Sequence, residues 1–190
     1  PDRAETFGSD GIRMSLPPIA RFLDPRPGDE ARSHGIVGTV NIPLEELPGR
    51  MHELPPRHGV VLVAGSEPLV SETITFLEAN GRRAQPGLDW QYGEALPCRL
   101  WEPNAFLMEV VSHLPPGTAF DLACGTGRDA VALAAEGWRV CAVDHLQDAL
   151  DRGRNLAARY LPADQAAATE WLQHDLERDF TLKGEGANLV

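Results

Sequence analysis

The stretch from Thr118 to Asp144 constrains the fold of this chain most. "TAFDLAC" (118–124) is a short apolar run that ends in a glycine turn. "RDAVALAAEG" (128–137) follows as a helix closed by Gly137, and "WRVCAVD" (138–144) is a second apolar run. Strands that alternate with helices read as a parallel sheet, because parallel neighbours need a crossover connection of this kind. The rhythm goes on with a helix over "LQDALDRGRNLAARYL" (146–161) and a third strand in "TEWLQHD" (169–175). "ANLV" (187–190) opens a fourth. The expected class is α/β.

Upstream, the elements are shorter. Residues 1–17 lack apolar periodicity and read as a loose leader. "RFLD" (21–24) is a strand, and "GTVNIPLEEL" (38–47) gives a strand around Val40, then a helical turn after Pro43. "GVVLVAG" (59–65) is a continuous apolar run between glycines, the pattern of a buried parallel strand. "PLVSETITFLEANG" (68–81) is a helix with Val70, Ile74 and Leu77 on one face; Pro68 suits its first position and Gly81 its C-terminal cap. Ser66 reads as a cap near its start. "RRAQPGLDW" (82–90) returns as strand and loop, and residues 93–103 form a linker. "NAFLMEVVSHL" (104–114) is an amphipathic helix carrying Phe106, Leu107, Val110, Val111 and Leu114. The division is a first domain over 18–92 and a second over 104–190.

Charge removes several function classes. A formal net charge of -11 disfavours a broad nucleic-acid surface, which needs clustered Lys and Arg. It disfavours an anionic membrane surface as well, and no apolar run approaches the ~20 residues of a membrane helix. Cys98, Cys124 and Cys141 show no paired or metal-ligand spacing. An odd count without a secretory signal points to a reducing, cytoplasmic setting with no structural zinc.

The turn itself, Gly125-x-Gly127-x-x-Ala130, permits a dinucleotide by spacing alone. Asp121 argues against one, since a carboxylate at the strand end repels a pyrophosphate and favours an ammonium-bearing ligand. "DLACGTG" (121–127) resembles motif I of the class I S-adenosylmethionine-dependent methyltransferases, with Ala123 in place of the first glycine. The span 124–144 is closest to small-molecule enzymes of the tellurite-resistance and thiopurine type. The resemblance implies that Asp121, Ala123, Gly125 and Gly127 sit beside the methionine part of S-adenosylmethionine. It implies Asp144 at the ribose hydroxyls, with His145 and Leu146 near the adenosine. "HDLE" (174–177) looks like the next motif, placing Asp175 at the adenine amino group and Leu176 near the ring. Read without the resemblance, Asp144 fits a ribose ligand or a helix cap, and Asp175 a ligand or a solvated loop acid. Cys124 and Cys141 read as small buried side chains, and Trp101 as a packed aromatic.

The first domain resembles the rhodanese-like family. "FLDPRP" (22–27), "SHGIVGTVNIPLEEL" (33–47), "VVLVAGSEPLVSETITFLEANG" (60–81) and "GLDW" (87–90) carry the likeness. In that family a cysteine ends the strand and accepts sulfur. Here the strand ends Val63-Ala64-Gly65 and no cysteine precedes Cys98, so a sulfurtransferase-dead module is expected. Asp24 and His34 match positions that are mostly structural there. The whole then reads as a small rhodanese-like parallel-sheet domain followed by the N-terminal part of a Rossmann-like methyltransferase domain. That family has seven strands; three and the start of a fourth are legible here, so an incomplete domain is expected.

Three readings compete. The first is a methyltransferase acting on a small-molecule acceptor, with the inactive module presenting substrate or docking a protein partner. The second is a non-catalytic binding or regulatory protein that uses both folds as scaffolds. The third is a nicotinamide oxidoreductase, which Asp121 disfavours. No general base is identifiable.

Overall fold

A computed structural model describes residues 16–179 and 187–190, so most of the expected leader lies outside the described residues. The chain builds two parallel sheets. The first contains β1 (Phe22–Asp24), β2 (Thr39–Asn41), β3 (Val60–Val63) and β4 (Arg83–Pro86), in the order β2-β1-β3-β4. All pairings in it are parallel. Strand β3 is the apolar run expected of a central strand, with Val61 and Val63 each 1% exposed.

Helix α3 (Leu69–Ala79) packs on this sheet through Val70, Thr73 and Leu77. Gly81, at φ 71°, follows the Asn80 cap and releases the chain into β4. Ser66 does not cap α3 with its side chain; instead the Glu67 carboxylate accepts from Ser71 N at 3.4 Å. Pro68 stands at the cap position, one residue before the helix. Two short helices, α1 (Gly28–Ser33) and α2 (Leu47–Arg50), had no clear periodicity in so few residues.

Helix α4 (Ala105–Ser112) leads into the second sheet, and Asn104 caps it by accepting from Phe106 N and Leu107 N. Its apolar face is narrower than the sequence suggests. Val111 is buried, whereas Phe106 is 73% and Leu114 36% exposed. Strands β5 (Thr118–Leu122), β6 (Arg139–Asp144) and β7 (Glu170–Gln173) run parallel in the order β5-β6-β7. Helices α5 (Arg128–Ala135) and α6 (Gln147–Tyr160) connect them, and α7 (Ala163–Ala168) precedes β7.

Leu189 pairs parallel with Ala119 of β5, and Phe120 N donates to Leu189 O at 3.0 Å. Since β6 occupies one edge of β5, residues 187–190 lie on the other. The strand order therefore reverses beside β5. In open α/β sheets, ligands bind beyond the carboxyl ends of the strands at such a reversal.

The stretch read as a linker ends in packed residues. Ala20 N donates to Arg99 O and Arg99 N to Pro18 O at 3.0 Å. Leu100 belongs to the core of the first sheet and Trp101, 0% exposed, to that of the second. The Trp101 ring meets Tyr160 edge to face at 5.4 Å. Glu53, wholly buried, accepts from Arg50 at 2.7 Å and from Arg159 of α6 at 2.7 Å. This buried carboxylate ties the two sheets together, and nothing in its sequence neighbourhood announces it. Among the described residues no helix is long and apolar enough to cross a membrane.

Candidate functional site

Parallel pairing in register brings the carboxyl ends of β5, β6 and β7 to one edge. Leu122 stands opposite Val143, and Asp144 opposite Gln173. The residues that follow each strand meet there.

The turn after β5 has three residues with left-handed backbone: Ala123 (φ 59°), Gly125 (φ 55°) and Gly127 (φ 70°). The two glycines serve different ends. A Cβ on Gly125 would meet no atom within 4 Å, so its surroundings are open. A Cβ on Gly127 would run into the Trp171 ring of β7, as would one on Gly153 of α6. Gly127 and Gly153 thus form a slot for Trp171, which fixes the start of α5 against the sheet. Trp171 was not singled out from the sequence; two glycines opposite one large ring are a signal only in three dimensions.

The turn is tied to β6. Cys124 N donates to Val143 O at 3.0 Å, and Gly125 N donates to the Asp144 carboxylate at 2.8 Å. The other Asp144 oxygen accepts from Leu146 N at 2.9 Å. Burial pushes the Asp144 pKa up, but the N–H groups of Leu146 and Gly125 and the nearby His145 outweigh it, and the net shift is downward. Asp144 is therefore a carboxylate at neutral pH. Oδ2 accepts a single bond, from Gly125 N, whereas Oδ1 also faces the His145 ring at 3.4 Å.

Asp121 is in the opposite state. Its Oδ2 atom is buried and has no hydrogen-bond partner among the described residues. Burial, then the charge of Asp129, raises its pKa to about 6, although the Ala130 N–H at the start of α5 works against them. A buried carboxylate with an idle oxygen is costly unless something cationic meets it.

Two clefts flank the turn. One, of about 540 Å³, is lined by Ala123, Asp144, His145, His174, Asp175 and Leu176 with Glu177. It gathers five of the expected site residues. Within it Asp175 accepts from Glu177 N at 3.0 Å and meets Arg178 at 3.2 Å. His145 is exposed, with Nδ1 3.4 Å from Asp144. The other cleft, of about 530 Å³, is lined by Gly125, Cys124, Thr126, Arg128 and Asp129 with Asn104 and Glu102, and by Pro56 from the first sheet's side. Asp121 and Gly127 line neither cleft. Cys124 is no nucleophile, because burial and then the charges of Asp121 and Asp144 push its thiol up to about 12. Trp101 is sealed in the core, away from both clefts.

A family model, that of the tellurite resistance protein TehB, matches residues 102–170. Over that stretch the chain is similar to TehB. A comparison with curated proteins gave no match. Among solved structures, the glycopeptide N-methyltransferase MtfA complexed with S-adenosyl-L-methionine is 28% identical at a TM-score of 0.36, over 41% of this chain and 34% of that one. The same enzyme with S-adenosyl-L-homocysteine gives 26% identity and a TM-score of 0.37, over 42% and 31%. A TehB-like SAM-dependent methyltransferase from Corynebacterium glutamicum gives 22% and 0.31, over 38% and 35%. The chain spans about a third of the length of these structures.

Proposed function

We propose that residues 104–190 are the cofactor-binding part of an S-adenosylmethionine-dependent methyltransferase acting on a small molecule. The observation that carries this reading is the pairing of an open glycine turn with a buried, unpartnered Asp121 oxygen. The TehB match over residues 102–170, which spans β5 and β6, supports it. A pyrophosphate would add negative charge above Asp121; an amino-acid ammonium would neutralise it.

S-adenosylmethionine supplies an electrophilic methyl group on a sulfonium. Asp121 would attract the ammonium, and Gly125 would let the backbone come close. Asp144 would accept from the ribose hydroxyls through Oδ2, which carries only the Gly125 bond. Asp175 would face the adenine amino group, with Leu176 and His145 beside the ring. The half-buried Asp121 would exchange stability for affinity, as functional sites often do. The residues 18–92 would be a rhodanese-like module without a sulfur nucleophile, since Ala64 and Gly65 stand where that chemistry needs a thiol. Its role would be to cover the site or to dock a protein partner.

Calorimetric titration with S-adenosylmethionine, S-adenosylhomocysteine and NADH tests this. Adenosyl ligands are expected to bind and NADH to fail, and Asp121→Asn should weaken S-adenosylmethionine about tenfold or more, the worth of one charge-assisted hydrogen bond. A folded chain that prefers NADH, or binds none of the three, contradicts the proposal.

A further inference from the structure

Beside the glycine turn, on the seam between the two sheets, lies a third cleft of about 360 Å³. Its lining includes Arg57, Arg82 and Arg128, together with His52, Pro55 and Pro56, and no carboxylate. This is unusual in a chain of net charge -11. None of the three arginines forms an ion pair among the described residues, and Arg82 is only 9% exposed. One Arg82 nitrogen donates to Pro55 O, which holds the guanidinium in place and leaves its other donors unused. Arg57 folds over the Gly81 turn beside it, its Nη1 atom 3.7 Å from where a Gly81 Cβ would stand.

Burial lowers the Arg82 pKa, and the positive charges of Arg57 and Arg128 lower it further; no acid offsets them. Three like charges drawn together without a counterion are unfavourable unless an anion joins them. His52 also lines the cleft, but both its ring nitrogens are buried, so the three guanidinium groups supply its donors.

The position gives the cleft a use. Arg57 precedes β3 and Arg82 precedes β4, so both come from the amino edge of the first sheet. Arg128 opens α5, at the carboxyl edge of the second. Arg128 and Pro56 line this cleft and also the one at Gly125. A group held by the arginines lies next to the space above the turn.

We propose that Arg57, Arg82 and Arg128 form an anion-binding site that takes the compact oxyanion group, phosphate or carboxylate, of a small-molecule ligand. That this ligand is the methyl acceptor rests on the methyltransferase reading; the anion site does not. Arginine forks suit such groups because two parallel N–H donors match two oxygens.

The test uses the chain with inorganic phosphate and with acetate as separate calorimetric probes, in a chloride buffer of fixed ionic strength. Arg57→Gln and Arg82→Gln are compared with the unaltered chain, and S-adenosylmethionine is titrated into each. At least one oxyanion is expected to bind, phosphate tighter if the site is built for a dianion and acetate if for a carboxylate. Each substitution should weaken that anion about tenfold and leave S-adenosylmethionine affinity unchanged. Arg57 is exposed, so Arg57→Gln keeps the test valid if Arg82→Gln unfolds the chain. Failure of both anions to bind, or binding indifferent to Arg57→Gln, overturns the site. Failure of the unaltered chain to bind S-adenosylmethionine, with anion binding intact, overturns the methyltransferase reading alone.

Discussion

Two turns in this molecule begin alike. In each, a buried parallel strand runs into a glycine turn and then a helix: β3 into α3, and β5 into α5. The first satisfies itself. Ala64 is 0% exposed, and the helix start is met by the chain's own Glu67. The second leaves groups idle. Gly125 faces open space, and an Asp121 oxygen at the end of β5 has no partner among the described residues. The same strand–turn–helix unit is thus scaffold in one sheet and candidate site in the other. What separates them is unused bonding capacity, not topology.

The largest expected effect comes from removing the support of the second turn. Gly127→Ala forces a side chain into left-handed backbone and into the Trp171 ring, and should cost about 3 kcal/mol in denaturant unfolding. Trp171→Leu in the same chain should recover part of that loss, because the two sites are coupled. No recovery would mean that backbone strain alone sets the cost.

Asp121→Asn is expected to act in the opposite direction. It should raise the thermal midpoint of the ligand-free chain at pH 7, with a gain of about 1–2 kcal/mol, while weakening S-adenosylmethionine. The pH dependence follows from the direction of the shift. A folded pKa of about 6, above the ordinary aspartate value of about 4, means that the folded chain holds the proton longer, so this group lowers stability as pH rises from about 4 to 6. That slope should vanish in Asp121→Asn. Asp144 has the opposite sign: its lowered pKa adds stability above about pH 4 that is lost only in stronger acid.

A smaller pair sharpens the contrast directly. Ala123 holds φ 59° without being glycine, so Ala123→Gly should stabilise the chain by about 0.5–1 kcal/mol. Ala64→Gly, at the matching place in the first sheet, should destabilise it by about 1 kcal/mol, because a buried methyl group is lost. Equal signs for the two would mean that the turns are not built differently. Smallest of all, Glu67→Gln should cost about 0.5 kcal/mol by weakening the start of α3.

Much of this was legible in the sequence, for physical reasons that differ by element. The strands and longer helices follow from apolar periodicity, and the β5 turn from its glycines and flanking acids. Ala123, Asp144, His145, Asp175 and Leu176 then fall into one cleft because parallel register aligns the ends of β5, β6 and β7. What stayed hidden depends on contacts distant in sequence. The Trp171 slot needs Gly127 and Gly153 brought together, and the arginine cleft needs residues 57, 82 and 128. Glu53 looks like any surface acid until Arg159 arrives from the other sheet. Phe106 shows the limit of periodicity: its spacing fits a buried face, yet it sits on the outer side of the first turn of α4.

The most direct test of the central claim is an amide chemical-shift map of the chain on addition of S-adenosylhomocysteine. The account predicts saturable shifts at Gly125, Gly127, Asp144 and Asp175, with Gly65, Ser66 and Glu67 unmoved. Shifts at the Gly65–Glu67 turn instead, or none at the β5 turn in a folded chain, would contradict it.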